Sequence, residues 1–156
     1  MKKTLLICLI FLFVHGNVNT ATAQEKKDST NVMKFELSTG ISQGVVINRD
    51  LEADMFNATI QVTPSFVFDK WKFSAVALSY SRNEETGFFA GSQVSYQVLP
   101  YTYLSAQALY GNTGKELFSG GASYEFPEVS LFGNAGYETK AQETWLEVGI
   151  GYKIIQ

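Results

Sequence analysis

The chain has 156 residues and a formal net charge of −3; 46% of it is hydrophobic, 14% aromatic and only 17% charged. That length holds one domain and excludes a second sizeable core. The apolar content excludes a disordered chain, and the acidic balance speaks against a nucleic-acid partner, which requires a basic patch or stripe.

Met1-Lys2-Lys3 is a positive start, Thr4 to Val14 an apolar stretch of 11 residues, and Ala21-Thr22-Ala23 a small-x-small cleavage site. In that order they read as a secretory signal peptide over residues 1–23, too short and wrongly flanked for a spanning helix. Cys8 lies inside the apolar stretch and not after it, which argues against a lipid anchor. Cleavage after Ala23 removes the one cysteine and the one histidine (His15), leaving 133 residues with a formal charge of −5. Such a chain has no disulfide, thiol nucleophile, imidazole base or His/Cys metal ligand. Residues 24–32 are polar and aperiodic and read as a flexible spacer.

From Met33 the apolar period is two, and no stretch shows a 3.6-residue stripe. The spacing predicts a first strand over Met33 to Ile47, with Phe35, Leu37, Thr39, Ile41, Gln43, Val45 and Ile47 on one face. The second, Phe56 to Phe68, alternates most cleanly, with Phe56, Ala58, Ile60, Val62, Pro64, Phe66 and Phe68 together. Pro64 forfeits a ladder hydrogen bond, so a bulge or a partly unpaired strand is expected there. In the third, Trp71 to Ser81, the apolar side begins with Trp71 and Phe73 and then changes phase to Val76, Leu78 and Tyr80, which predicts a β-bulge near Ser74-Ala75. Strands follow at Phe88 to Val98, Tyr101 to Tyr110, Leu117 to Phe126, Val129 to Glu138 and Trp145 to Ile154. This makes eight strands, joined alternately by tight turns (Asp69-Lys70, Leu99-Pro100, Pro127-Glu128) and by longer polar segments around Asn48–Met55, Arg82–Gly87, Gly111–Lys115 and Thr139–Glu143.

The apolar faces carry no Asp, Glu, Lys or Arg, whereas the opposite faces hold Lys34, Glu36, Lys72, Glu125, Glu138, Glu147 and Lys153 among Gly, Ser, Thr, Gln and Asn. A water-exposed exterior should be rich in Lys and Glu. Small neutral polar residues suit a crowded barrel interior instead, and an uncharged face suits lipid. Phe66, Phe68, Trp71, Tyr96, Tyr101, Phe126 and Tyr152 cluster beside the tight turns, where a membrane-interface girdle belongs. An exported N-terminus then puts both termini and the tight turns in the periplasm.

With these features the chain resembles the small eight-stranded bacterial outer-membrane barrels of the outer-membrane protein A and X types, from about Met33 to the end. The resemblance implies an all-β, antiparallel, up-and-down transmembrane barrel (residues 33–156) in the outer membrane. Its surroundings would be outer-membrane lipid and lipopolysaccharide, and it would be a monomer. Those families commonly end in an aromatic residue, whereas here Tyr152 is followed by Ile154-Ile155-Gln156.

Sites for chemistry are few. Ser38, Ser65, Ser95, Ser105 and Ser123 alternate as polar-face residues, and a serine nucleophile without an imidazole needs a Lys or carboxylate base. No catalytic residue, metal or cofactor is expected. The lumen charges read as a paired network, and Asp50, Glu52 and Asp54 as a solvated acidic loop lacking the EF-hand glycine and distal glutamate. The expected role is non-enzymatic, structural or in surface interaction. The alternative is a soluble lipocalin-like barrel for an apolar ligand. Gln61, Gln93, Gln97 and Gln107 separate the two: outside in the soluble barrel, inside in the membrane one.

Overall fold

The structure is a computed structural model and describes residues 33–83 and 85–155. The expected signal peptide and spacer lie outside the described residues. Eight strands run in order: β1 (Lys34–Ile47), β2 (Ala53–Phe68), β3 (Trp71–Arg82), β4 (Glu85–Leu99), β5 (Thr102–Gly111), β6 (Glu116–Glu125), β7 (Val129–Glu138) and β8 (Glu143–Ile155). Each pairs antiparallel with its sequence neighbours, and β1 pairs with β8 to close the barrel. Closure gives every strand two partners and removes the open edges that apolar surroundings forbid.

Residues 69–70, 100–101 and 126–128 connect strands at the rim that carries both chain ends, called here the terminal rim. At the far rim the connections are residues 48–52, 83–84, 112–115 and 139–142, all shorter than the sequence suggests. Backbone pairing continues where the apolar alternation stops, through Ile47↔Ala53, Arg82↔Glu85 and Glu138↔Glu143. Ladder hydrogen bonds do not require hydrophobic side chains, so hydropathy alone overestimates loop length. In the tightest far-rim turn Asn83 takes φ of 48°, a left-handed geometry that Asn tolerates well.

The phase slip lies one strand earlier than the sequence indicates. β3 pairs with β4 without interruption, and no bulge occurs at Ser74-Ala75. Lys72, Ser74, Val76, Leu78 and Tyr80 are all buried on one inward face. The irregularity sits in β2, where the register shifts between Ala58 and Ile60 on the β3 side and opposite Gly40/Ser42 on the β1 side. The extra residue turns Phe56 into the lumen while Ile60, Val62, Phe66 and Phe68 stay on the outer wall. Phe56, Val76, Leu78 and Tyr80 thus leave the lipid-side face assigned to them from periodicity. A bulge in one strand and a run of inward hydrophobes in the next produce the same apparent slip in sequence. Around Pro64 the β2–β3 pairing skips Thr63 and Pro64 and resumes in unchanged register, so the proline leaves a gap and no bulge of its own.

On the outer wall Ile41, Val148 and Ile150 are exposed, as are the aromatic residues at both rims. Val148 is 63% exposed near the middle of β8, opposite Gln43 and Gly133. If this wall faces lipid, Val148→Arg should lower stability in bilayers by roughly 2–4 kcal/mol. Reversible denaturant unfolding in lipid vesicles checks this; a cost no larger than that of an arginine in a far-rim loop would place the wall in water.

Candidate functional site

The inward side chains form four layers. Nearest the terminal rim is an ion network. Lys72 Nζ (β3) lies 2.9 Å from Glu36 Oε2 (β1) and 2.5 Å from Glu125 Oε1 (β6), and Lys153 Nζ (β8) lies 2.8 Å from Glu125 Oε2. Alternation aims all four side chains inward, and the register of non-neighbouring strands brings them together. Lys72 also sits 4.9 Å from the Tyr103 ring centre, within cation–π range. Two cations and two carboxylates leave this layer neutral, the condition under which charge is tolerated in a narrow interior.

Above it lies a polar layer of hydroxyls, amides and one carboxylate. Ser65 and Ser74 hydroxyls are 2.8 Å apart, and the Gln93 amide donates to Ser95 at 3.0 Å. Gln61, Gln93, Gln97 and Gln107 all occupy inward positions. The Glu147 carboxylate accepts from the Ser42 hydroxyl and, at 3.1 Å, from the Asn134 amide. These three residues come from β8, β1 and β7, so they clamp the strands on both sides of the closing seam.

The third layer is a dry plug that sequence reasoning did not assemble. Trp145 packs against Phe56 at 4.7 Å, Tyr80 at 5.3 Å and Phe89 at 5.8 Å between ring centres, and Tyr80 stacks on Phe89 at 5.2 Å. Val46, Val76, Leu78, Leu109 and Leu117 complete it, and all nine residues are buried. Contributions come from every strand but β7. Glycine makes room for the rings: a Cβ on Gly44 would overlap Phe56, and one on Gly87 would overlap Tyr80. A signal was present, since Phe89, Leu109, Leu117 and Trp145 interrupt the polar faces of their strands near one end.

At the far rim Arg82 reaches Asp54 at 2.8 Å and Glu143 at 2.9 Å, joining β3 to β2 and β8 across the mouth. Asp54 therefore leaves the acidic loop, while Asp50 and Glu52 remain exposed. The Asn48 side chain orders that loop by accepting from the backbone N–H of Asp50 and Glu52.

Of the seven charged residues read as one lumen network, the structure joins Glu36, Lys72, Glu125 and Lys153. Lys34 is exposed at the start of β1 and makes none of these contacts. Glu138 is fully buried but caps the β7–β8 turn, accepting from the backbone N–H of Lys140 at 2.9 Å and Ala141 at 2.6 Å. Glu147 sits a layer higher, with neutral partners. Glu138 and Glu147 share the inward face with the network, but strand tilt sets them at other heights. Phe66, Phe68, Trp71, Tyr96, Tyr101, Phe126 and Tyr152 are all exposed, and Trp71 packs on Tyr96 at 4.7 Å between ring centres. Phe88, Tyr110, Phe118 and Tyr137 form a further exposed aromatic group toward the far rim on β4 to β7. Among the described residues no cluster of three or more His, Cys, Asp or Glu is arranged to hold a metal ion.

No protein-family model and no curated protein matches the chain. A de novo designed transmembrane β-barrel superposes with a TM-score of 0.53 at 21% identity, covering 76% of this chain and 95% of the design. The designed barrel TMB2.3, solved by solution NMR, gives 0.50 at 22% identity over 78% of this chain and 95% of its own. Neisserial surface protein A gives 0.49 at 12% identity over 79% and 99%. The likeness to the designed barrels shows the fold, a small closed antiparallel transmembrane-type β-barrel.

Two outcomes follow from the layers. Lys72→Met leaves Glu36 and Glu125 without their shared cation and should cost about 3–5 kcal/mol. Adding Glu36→Gln should recover part of that loss in equilibrium unfolding. Gly87→Ala should cost about 1–3 kcal/mol through overpacking. Combined with Tyr80→Ala it should cost much less than the two singles together; strict additivity would show that the ring does not rest on this glycine.

Proposed function

We propose that this chain is an outer-membrane β-barrel of a Gram-negative bacterium with a non-enzymatic, structural or surface-interaction role and a lumen sealed to solutes. The observation that carries the reading is the inside-out distribution of polarity. Large apolar and aromatic side chains cover the outer wall between the rims, while the paired charges and glutamines point inward. A lipocalin-like barrel requires the opposite arrangement. With the termini periplasmic, the far rim faces outside, and its surroundings are outer-membrane lipid and lipopolysaccharide around a monomer. The far-rim connections of two to five residues offer little surface for an elaborate binding head, which favours the structural side of this role.

Support for a non-enzymatic role comes from the lumen chemistry. Ser65 and Ser74 hydrogen-bond to each other, and Ser42, whose hydroxyl donates to the Glu147 carboxylate, is itself buried, with that carboxylate also held by Asn134. Support for a seal comes from the plug, which fills an interior that eight strands already make narrow.

Protein extracted from membranes in detergent should migrate faster unboiled than boiled, whereas recovery in the soluble periplasmic fraction without a shift would overturn the membrane reading. In planar bilayers the unaltered barrel should show no steady conductance, and Trp145→Ala with Phe89→Ala should open one. Steady conductance before substitution would overturn the seal.

A further inference from the structure

Beneath the plug lies a cavity of about 20 Å³, lined in part by Trp145, Ser119, Glu147, Asn134 and Gln107. Among the described residues the Trp145 indole N–H and the Ser119 hydroxyl are buried and have no hydrogen-bond partner. Trp145 is only 4% exposed. Leaving such groups unpaired away from water costs roughly 1–3 kcal/mol each. Two buried, orphaned polar groups on residues lining one small space therefore point to an occupant.

We propose that this cavity is a binding site for one water molecule, which joins the Trp145 indole to the Glu147 side of the lumen. The volume exceeds the roughly 10–15 Å³ that one water requires. Chemistry selects among small occupants. The indole N–H is a donor only, so the occupant must accept a hydrogen bond, which a metal cation or ammonium ion does not. The Glu147 carboxylate repels an anion. A neutral water accepts from Trp145 and donates to both Ser119 and a carboxylate oxygen of Glu147, meeting the two to four partners typical of a buried water.

The site has a structural consequence. Glu147 already holds Ser42 of β1 and Asn134 of β7. The water extends that clamp to Ser119 of β6, so four successive strands (β6, β7, β8 and β1) share one polar node across the closing seam. It also links the dry plug to the polar layer, seating the largest ring of the plug on the network below. The inference stands on the lumen geometry and does not depend on the proposed biological role.

The test uses the full barrel, isotope-labelled and refolded in detergent micelles, with water-selective NOE and ROE spectra. The chain has two tryptophans, and Trp71→Phe assigns the remaining indole to Trp145. The Trp145 indole proton should show a direct cross-peak at the water frequency, with the sign of a long-lived water. Ser119→Ala should keep the peak, because it removes a hydroxyl whose exchange could relay the signal and leaves the space open. Ser119→Val should abolish it by filling the space. No cross-peak in the unsubstituted barrel, or its loss in Ser119→Ala, would overturn the site. If Ser119→Val does not refold, those two measurements still decide.

Discussion

The width of an eight-stranded barrel governs everything inside it. Such a ring of strands encloses a column just wide enough for the side chains that point inward, so each inward position must fit against residues on the opposite wall. Lys72 on β3 meets Glu125 on β6, and Arg82 on β3 meets Glu143 on β8, because no side chain of that length has anywhere else to go. The same narrowness explains the pairing of bulk with its absence. Tyr80 lies over Gly87 and Phe56 over Gly44, large residues occupying the space that glycine releases on a neighbouring strand. Cross-strand complementarity of this kind lets large rings fit inside a narrow ring of strands.

Charge follows from the same geometry. In a narrow, poorly hydrated column an isolated charge is expensive, and the lumen handles it in three ways. At the terminal rim it is neutralised within a four-residue network. At the far rim Arg82 is held between two carboxylates near the mouth. In between, Glu147 is held by neutral donors, Ser42 and Asn134. The aromatic plug separates Glu147 from the far-rim cluster. Polar and dry zones therefore alternate along the axis.

The outer wall is subject to a simpler demand. Lipid accepts almost any uncharged side chain but rejects charge strongly, so the wall is defined by exclusion more than by fit. This asymmetry between the two faces accounts for how far the sequence can be read. Eight period-two segments, an uncharged face from Phe35 to Ile154, and aromatic residues beside the tight turns were all legible. Each follows from a local rule: alternation in a strand, charge avoidance, amphipathic rings at an interface. The candidates for a lumen network were legible too, as the charges on the polar face.

By itself, then, the sequence determined the strand count, the polarity of the two faces and the absence of histidine and cysteine after residue 23. Tertiary structure alone decided which apolar residues face in. Val76, Leu78 and Tyr80 look like wall residues because lipid and a dry plug are both apolar, and hydrophobicity cannot distinguish them. The bulge in β2 settled the matter by resetting the phase of one strand and leaving β3 continuous. It likewise decided the partners. Glu36, Lys72, Glu125 and Lys153 are far apart in the chain, and only barrel closure with its particular register sets them at one height. Glu138, on the same face, was carried instead to the turn it caps. The physical reason is common to both: alternation is a property of one strand, whereas height and neighbour in a barrel are properties of the closed ring.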